Sequence, residues 1–126
     1  GEPNNWGGNE HCVNQNKTWT DAQTYCRTQY DDLASVTSQE VLLDLLNQMT
    51  FLGQLWAWIG LYRDPWTTWS DSTNTSFYNW GTEPPIYNTD DHCGCLTAAT
   101  GEWHVTPCSG TYKFLCYGGT FFILPF

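Results

Sequence analysis

Apolar residues in the first half of the chain recur at helical intervals; in the second half they come as short aromatic runs broken by turn formers. Within residues 18–29, Trp19, Ala22, Tyr25 and Cys26 fall on one side of a 3.6-residue repeat, which predicts a first helix. Thr37-Ser38-Gln39-Glu40 has the form of a capping box, with the Thr37 oxygen placed to accept from the third helical amide and Glu40 reaching back. Behind it Val41, Leu42, Leu45, Leu46 and Met49 form an amphipathic stripe, so a second helix is expected to run to about Met49. Residues 56–61 (WAWIGL) read as a buried strand. Residues 63–91, rich in Pro, Gly, Asn, Asp, Ser and Thr, read as a long loop, and a loop of that length in a small domain is usually functional. Strands are expected again over 93–98, 102–105 and 113–117. Helices first and strands afterwards is the order of an α+β fold.

One segment occurs twice. GEPNNWGGNEHCV at residues 1–13 and TEPPIYNTDDHCG at residues 82–94 share Glu2 with Glu83, Pro3 with Pro84, His11 with His92 and Cys12 with Cys93. This divides the chain into an arm (1–13), a domain (14–117) and an apolar tail (118–126) whose TFFILPF is far shorter than the roughly 20 residues that span a bilayer.

Composition narrows the function. The chain has 126 residues, one domain's worth, with 13 acidic against 4 basic residues and a net charge of -9. Such a surface repels phosphate backbones and anionic lipid heads, which argues against nucleic acid and membrane partners. Six cysteines suit an oxidising compartment, and Asn16-Lys17-Thr18 and Asn74-Thr75-Ser76 are N-glycosylation acceptors. Both features point to a secreted, extracellular protein. His92, Cys93, Cys95 and His104 are zinc-type ligand residues, but in a secreted chain disulfides are favoured. Acids with His92 or His104 are the only chemistry-like sets, and no nucleophile stands beside a base at a recognisable spacing, so no enzyme is expected.

The helix-forming TWTDAQTYCRTQYDDLASV, the WIGL of residues 58–61, WSDSTNTSFYNW, EPP, DDHC, GEW and KFLC, in this order and spacing, resemble the C-type lectin-like domain family over residues 14–117. The resemblance implies two helices, antiparallel strands and a long loop region stapled by two bridges, Cys26–Cys116 and Cys93–Cys108. Each such closure is worth roughly 3 to 5 kcal/mol in the chain-entropy model. Cys12 and Cys95 are left over; an even count favours pairing, and they could bridge within the chain, or Cys12 could equally bridge to another molecule.

Family members that bind sugar do so through a calcium ion held by five side chains, and by that resemblance this chain keeps Glu83 and Asp91 but has Pro85, His104 and Val105 where oxygen ligands are expected. Two ligands of five make Glu83 and Asp91 weak candidates, and no cofactor is expected. In the arm, Glu2, Asn4 and Glu10 stand at three ligand positions of a similar loop, so residues 1–13 resemble a fragment of a preceding domain.

The reading is therefore a secreted binding module with a degraded calcium and sugar site, taking a glycan or protein ligand without calcium, with Trp66 and Tyr87 of the loop as aromatic contacts. Trp69 and Trp80 are expected in the core. The alternative is a structural protein that self-assembles into oligomers or filaments through the arm and the tail.

Overall fold

Hydroxyl caps start both helices. The computed structural model describes residues 10–62, 69–74, 77–81 and 92–118. After strand β1 (Glu10–Lys17), the Thr18 hydroxyl accepts from the Asp21 amide and starts α1 (Trp19–Gln29), with Asp21 in its first turn and Arg27 in its last, each suited to the helix dipole. The short strand β2 (Asp32–Leu33) follows. Helix α2 (Gln39–Leu52) is capped by Ser38, which accepts from the Val41 amide at 3.2 Å. The capping box is thus displaced by one residue from its expected register, and Val41 at the third helical position has no side-chain oxygen to reach back. The helix also runs three residues past Met49, to where Gly53 adopts φ 71°, a left-handed stop that glycine takes without strain.

Strands β3 (Trp56–Tyr62), β4 (His92–Thr97), β5 (Trp103–Pro107) and β6 (Tyr112–Tyr117) complete one mixed sheet in the order β1-β6-β3-β4-β5, with β2 also on β6. β3 and β6 run parallel; the other pairs are antiparallel. Because side chains alternate along each strand, the sheet has two apolar faces. On one, Ala57, Ile59, Leu61, Leu96, Trp103 and Leu115 meet Leu42, Leu45 and Met49 of α2. On the other, Val13, Trp58, Cys93, Cys95, Phe114 and Cys116 meet Trp19, Ala22 and Cys26 of α1. The α1 face is held by both disulfides, Cys26–Cys116 and Cys93–Cys108, with Cα separations of 5.3 and 5.1 Å.

The remaining thiols, Cys12 and Cys95, are not bridged. Cys12 pairs with Leu115 and packs on the α2 face, whereas Cys95 pairs with Trp58 on the α1 face. Two strands separate them, about 14 Å at the usual spacing, against the roughly 7 Å limit for a disulfide. The possible bridge between Cys12 and Cys95 is thereby ruled out in this fold.

The boundary drawn between Val13 and Asn14 lies inside β1. Glu10 to Val13 pair in regular register with Tyr117 to Phe114, so these four residues belong to the sheet and not to an arm. The last residues of the two repeated segments both lie in strands: His11-Cys12 in β1 and His92-Cys93 at the start of β4. Residues 1–9 and 119–126 lie outside the described residues.

Beyond β3 the chain returns at Trp69, where Asp71 anchors the segment. Burial alone would raise the Asp71 carboxyl, but hydrogen bonds from the Thr73 hydroxyl and amide, Tyr117 and Ser35 outweigh it and hold the group below its usual value. At the opposite seam, the Gln48 amide nitrogen donates to the Glu10 carbonyl at 2.7 Å and to Asp44 at 3.3 Å. Burial, then the hydrogen bond to Asp44 and its charge, push the Glu10 carboxyl up to about 7.

The folded chain therefore holds a proton on Glu10 that the unfolded chain releases near 4.5. Stability from this site is full below about pH 4.5 and is lost as pH rises through 7. Urea unfolding at pH 5 and pH 8 is expected to show a loss on the order of 1 kcal/mol after solvent screening. In Glu10→Gln that difference should disappear; an unchanged pH dependence in the variant would place its origin elsewhere.

Candidate functional site

Strand β5 sends alternate side chains to opposite fates. Trp103 is fully buried at the centre of an aromatic group, edge-on to Trp69 at 5.3 Å and to Trp80 at 5.5 Å, with Phe77 at 6.2 Å and Tyr78 at 6.4 Å. Residues 77–81 run alongside: Trp103 N–H donates to the Asn79 carbonyl at 2.8 Å and Gly81 N–H donates to the Trp103 carbonyl at 3.0 Å. Trp69 and Trp80 thus take the core positions expected of them, Trp80 only partly buried.

Glu102 and His104, flanking Trp103 in sequence, project to the other face. There the His104 imidazole lies 3.6 Å from the Glu102 carboxylate, too long for a direct hydrogen bond. Its ring also stands 5.8 Å from that of Trp56, which opens β3 and is 42% exposed. On the remaining side is Gly81, where an added Cβ would come within 2.5 Å of the His104 ring. An open surface results, made of one indole face, one imidazole and one carboxylate. Just before Trp56 in sequence, Phe51 and Leu52 at the end of α2 and Leu55 after it are also exposed, Phe51 at 87%.

The two thiols of the described region are both pushed up to about 12, Cys12 by burial and then by the Asp44 charge, Cys95 by burial, so neither is a thiolate at neutral pH. Cys93 is bridged, which removes it from the zinc-type set with His92, Cys95 and His104.

The same positions test the fit of calcium. His104 offers a nitrogen, and Val105 packs partly buried against the α2-face core and offers no donor. Nearby, the buried indole N–H groups of Trp69 and Trp103 have no hydrogen-bond partner among the described residues, but both are donors and neither supplies an oxygen. Among the described residues no group of three or more His, Cys, Asp or Glu is placed to hold a metal ion. These residues do not fit a hard cation. Glu10 of the arm's ligand set is engaged with Asp44 of α2. Glu2, Asn4, Glu83, Asp91, Trp66 and Tyr87 lie outside the described residues.

Sequence reasoning missed Phe51, Leu55 and Trp56. The signal was present: Phe51 is off the stripe set by Leu42, Leu45 and Met49, and Trp56 has the alternate parity to Ala57, Ile59 and Leu61, which fill the α2 face.

Residues 15–118 match the family described as the lectin C-type domain. The chain is 34% identical over 110 residues to C-type lectin lectoxin-Enh4 of Pseudoferania polylepis, covering 79% of this chain and 70% of that protein. It is 32% identical over 127 residues to Snaclec 2 of Sistrurus catenatus edwardsii, covering 90% and 80%. Among solved structures it superposes on human lithostathine with a TM-score of 0.77 at 26% identity, covering 88% of this chain and 91% of that one.

Gly81→Ala is expected to turn the His104 ring away from Trp56 at a cost under about 1 kcal/mol, since only the end of a side chain must give way. The His104 ring-proton shifts in an NMR spectrum check this; unmoved shifts in a folded variant would mean the ring is not held by this gap.

Proposed function

The chain belongs to the C-type lectin domain family, and from that premise we propose that it is a secreted binding module that takes a glycan or protein ligand without calcium. The observation that carries the reading is the pair His104 and Val105 after Trp103, where the family resemblance asks for two oxygen ligands. With that pair lost, Glu83 and Asp91 are too few to strip the hydration shell of a hard cation. The contact surface proposed is the Trp56, His104 and Glu102 face together with Trp66 and Tyr87 of the loop. An exposed indole stacks on the apolar face of a sugar or seats in a pocket of a partner, and the carboxylate and imidazole take up hydroxyl or amide hydrogen bonds. The paired bridges suit an extracellular setting, and no helix among the described residues is long and apolar enough to cross a membrane. Enzymatic turnover is no part of this reading.

A second reading, self-assembly, is favoured by one feature: Phe51, Leu52, Leu55 and Trp56 put four exposed apolar side chains into six residues on a chain of net charge -9. Light scattering over a concentration series distinguishes it, because Phe51→Ser with Leu55→Ser would abolish association if this patch drives it.

For the main reading, a glycan array and a panel of extracellular proteins are probed in millimolar calcium and again in chelator. Binding of equal strength in both buffers is expected, reduced at least about tenfold by Trp56→Ala, the scale of one lost aromatic anchor. Calorimetry with calcium should give no heat of binding for the parent chain and a measurable one for His104→Asn with Val105→Asp. Binding that vanishes with chelator would overturn the calcium-independent part.

A further inference from the structure

The sequon Asn16-Lys17-Thr18 gains a setting from the fold that the motif alone does not carry. It occupies the end of β1, the terminal strand of the sheet order, whose outer edge is unpaired among the described residues. The register shifts between Val13 and Lys17, so Asn14, Gln15 and Asn16 bulge from the ladder, and all three are exposed. The Asn16 amide is engaged on one side only. Lys113 Nζ donates to its Oδ1 at 3.0 Å, while Nδ2, the atom to which a glycan attaches, has no partner among the described residues. Attachment would leave Oδ1 and the Lys113 contact in place. Thr18, which supplies the sequon hydroxyl, is fixed as the cap of α1.

An unpaired edge presents a row of N–H and C=O groups to any strand of another molecule. In β1 the stretch Glu10 to Val13 is regular, and the Gln48 side chain takes up one of its backbone groups, the Glu10 carbonyl. Two copies joined antiparallel through β1 would lay the bulge of each against this regular half of the other.

We propose that Asn16 carries an N-linked oligosaccharide and that this glycan closes the open edge of the sheet against strand addition by a second copy. In the attachment step Asn16 Nδ2 bonds to the anomeric carbon of a lipid-diphosphate-linked oligosaccharide. The anomeric C–O bond breaks, the lipid diphosphate leaves with the bonding pair, and the amide gives up one proton. The glycan then stands at the bulge, where a bulky hydrophilic group obstructs the antiparallel approach.

The full chain secreted from a mammalian cell line tests both parts. Peptide mapping before and after peptide N-glycosidase treatment is expected to find the peptide of Asn16 glycosylated in most molecules, with the Asn74 peptide read separately. Light scattering should then give a concentration-independent monomer for the glycosylated chain. For the enzyme-treated chain and for Asn16→Gln, checked as folded by circular dichroism, the mass should rise with concentration. A bare Asn16 in the secreted protein would overturn the site; equal association with and without the glycan would overturn the shielding.

Discussion

The Cys26–Cys116 bridge joins α1 to the strand on which the rest of the sheet depends. β6 pairs with β1 on one side and with β2 and β3 on the other, so fixing it against α1 fixes the chain's beginning and end together. The bridge closes a sequence separation of 90 residues, worth about 4 to 5 kcal/mol in the chain-entropy model, a large share of a small domain's net stability. The second bridge, across 15 residues, acts locally by holding the chain just after β5 to the start of β4. A double-stapled frame of this kind is what lets a family vary its loops without refolding its core.

Trp103 shows how one strand serves core and surface at once. Its ring gathers Trp69, Phe77, Tyr78 and Trp80 into an aromatic group, and two backbone hydrogen bonds bring residues 79 and 81 beside β5. Strand alternation then obliges His104 to face outward at a fixed place, between Gly81 and Trp56. The position of the imidazole is thus a consequence of core packing, so the chemistry at this point can change by substitution at residue 104 while the rings beneath it stay packed.

Much of the fold was legible because its signals are local. The stripe of Leu42, Leu45 and Met49 and the run from Trp56 each sit within a few residues of what they specify, and the cap of α2 lies one residue from where it was read. β1 was not legible: EHCVNQNK has one buried residue, Val13, and a bulge that interrupts alternation, so its strand character comes from pairing with a strand a hundred residues away. β2, two residues long, is likewise made by β6. The pairing of Cys12 with Cys95 failed for a related reason, since parity along two strands decides which face each thiol takes. At the site, the loss of oxygen donors at residues 104 and 105 could be read directly, whereas the approach of Trp56 to His104 across β4 is a tertiary fact with no local trace.

The separation of thiols by face has a consequence for how the chain oxidises. Six thiols allow 15 complete pairings, yet the finished sheet leaves Cys12 alone on the α2 face and gathers the other strand cysteines with Cys26 on the α1 face. Cys95 lies two residues from Cys93 on that same face, so before the sheet closes it competes for the partners of Cys93. Once β3, β4 and β5 are zipped, Cys95 is wholly buried and its thiolate is disfavoured, which withdraws it from exchange. Folding order, rather than the chemistry of any one sulfur, selects the native pairs, and a chain oxidised faster than its sheet assembles will depend on an isomerase to recover them.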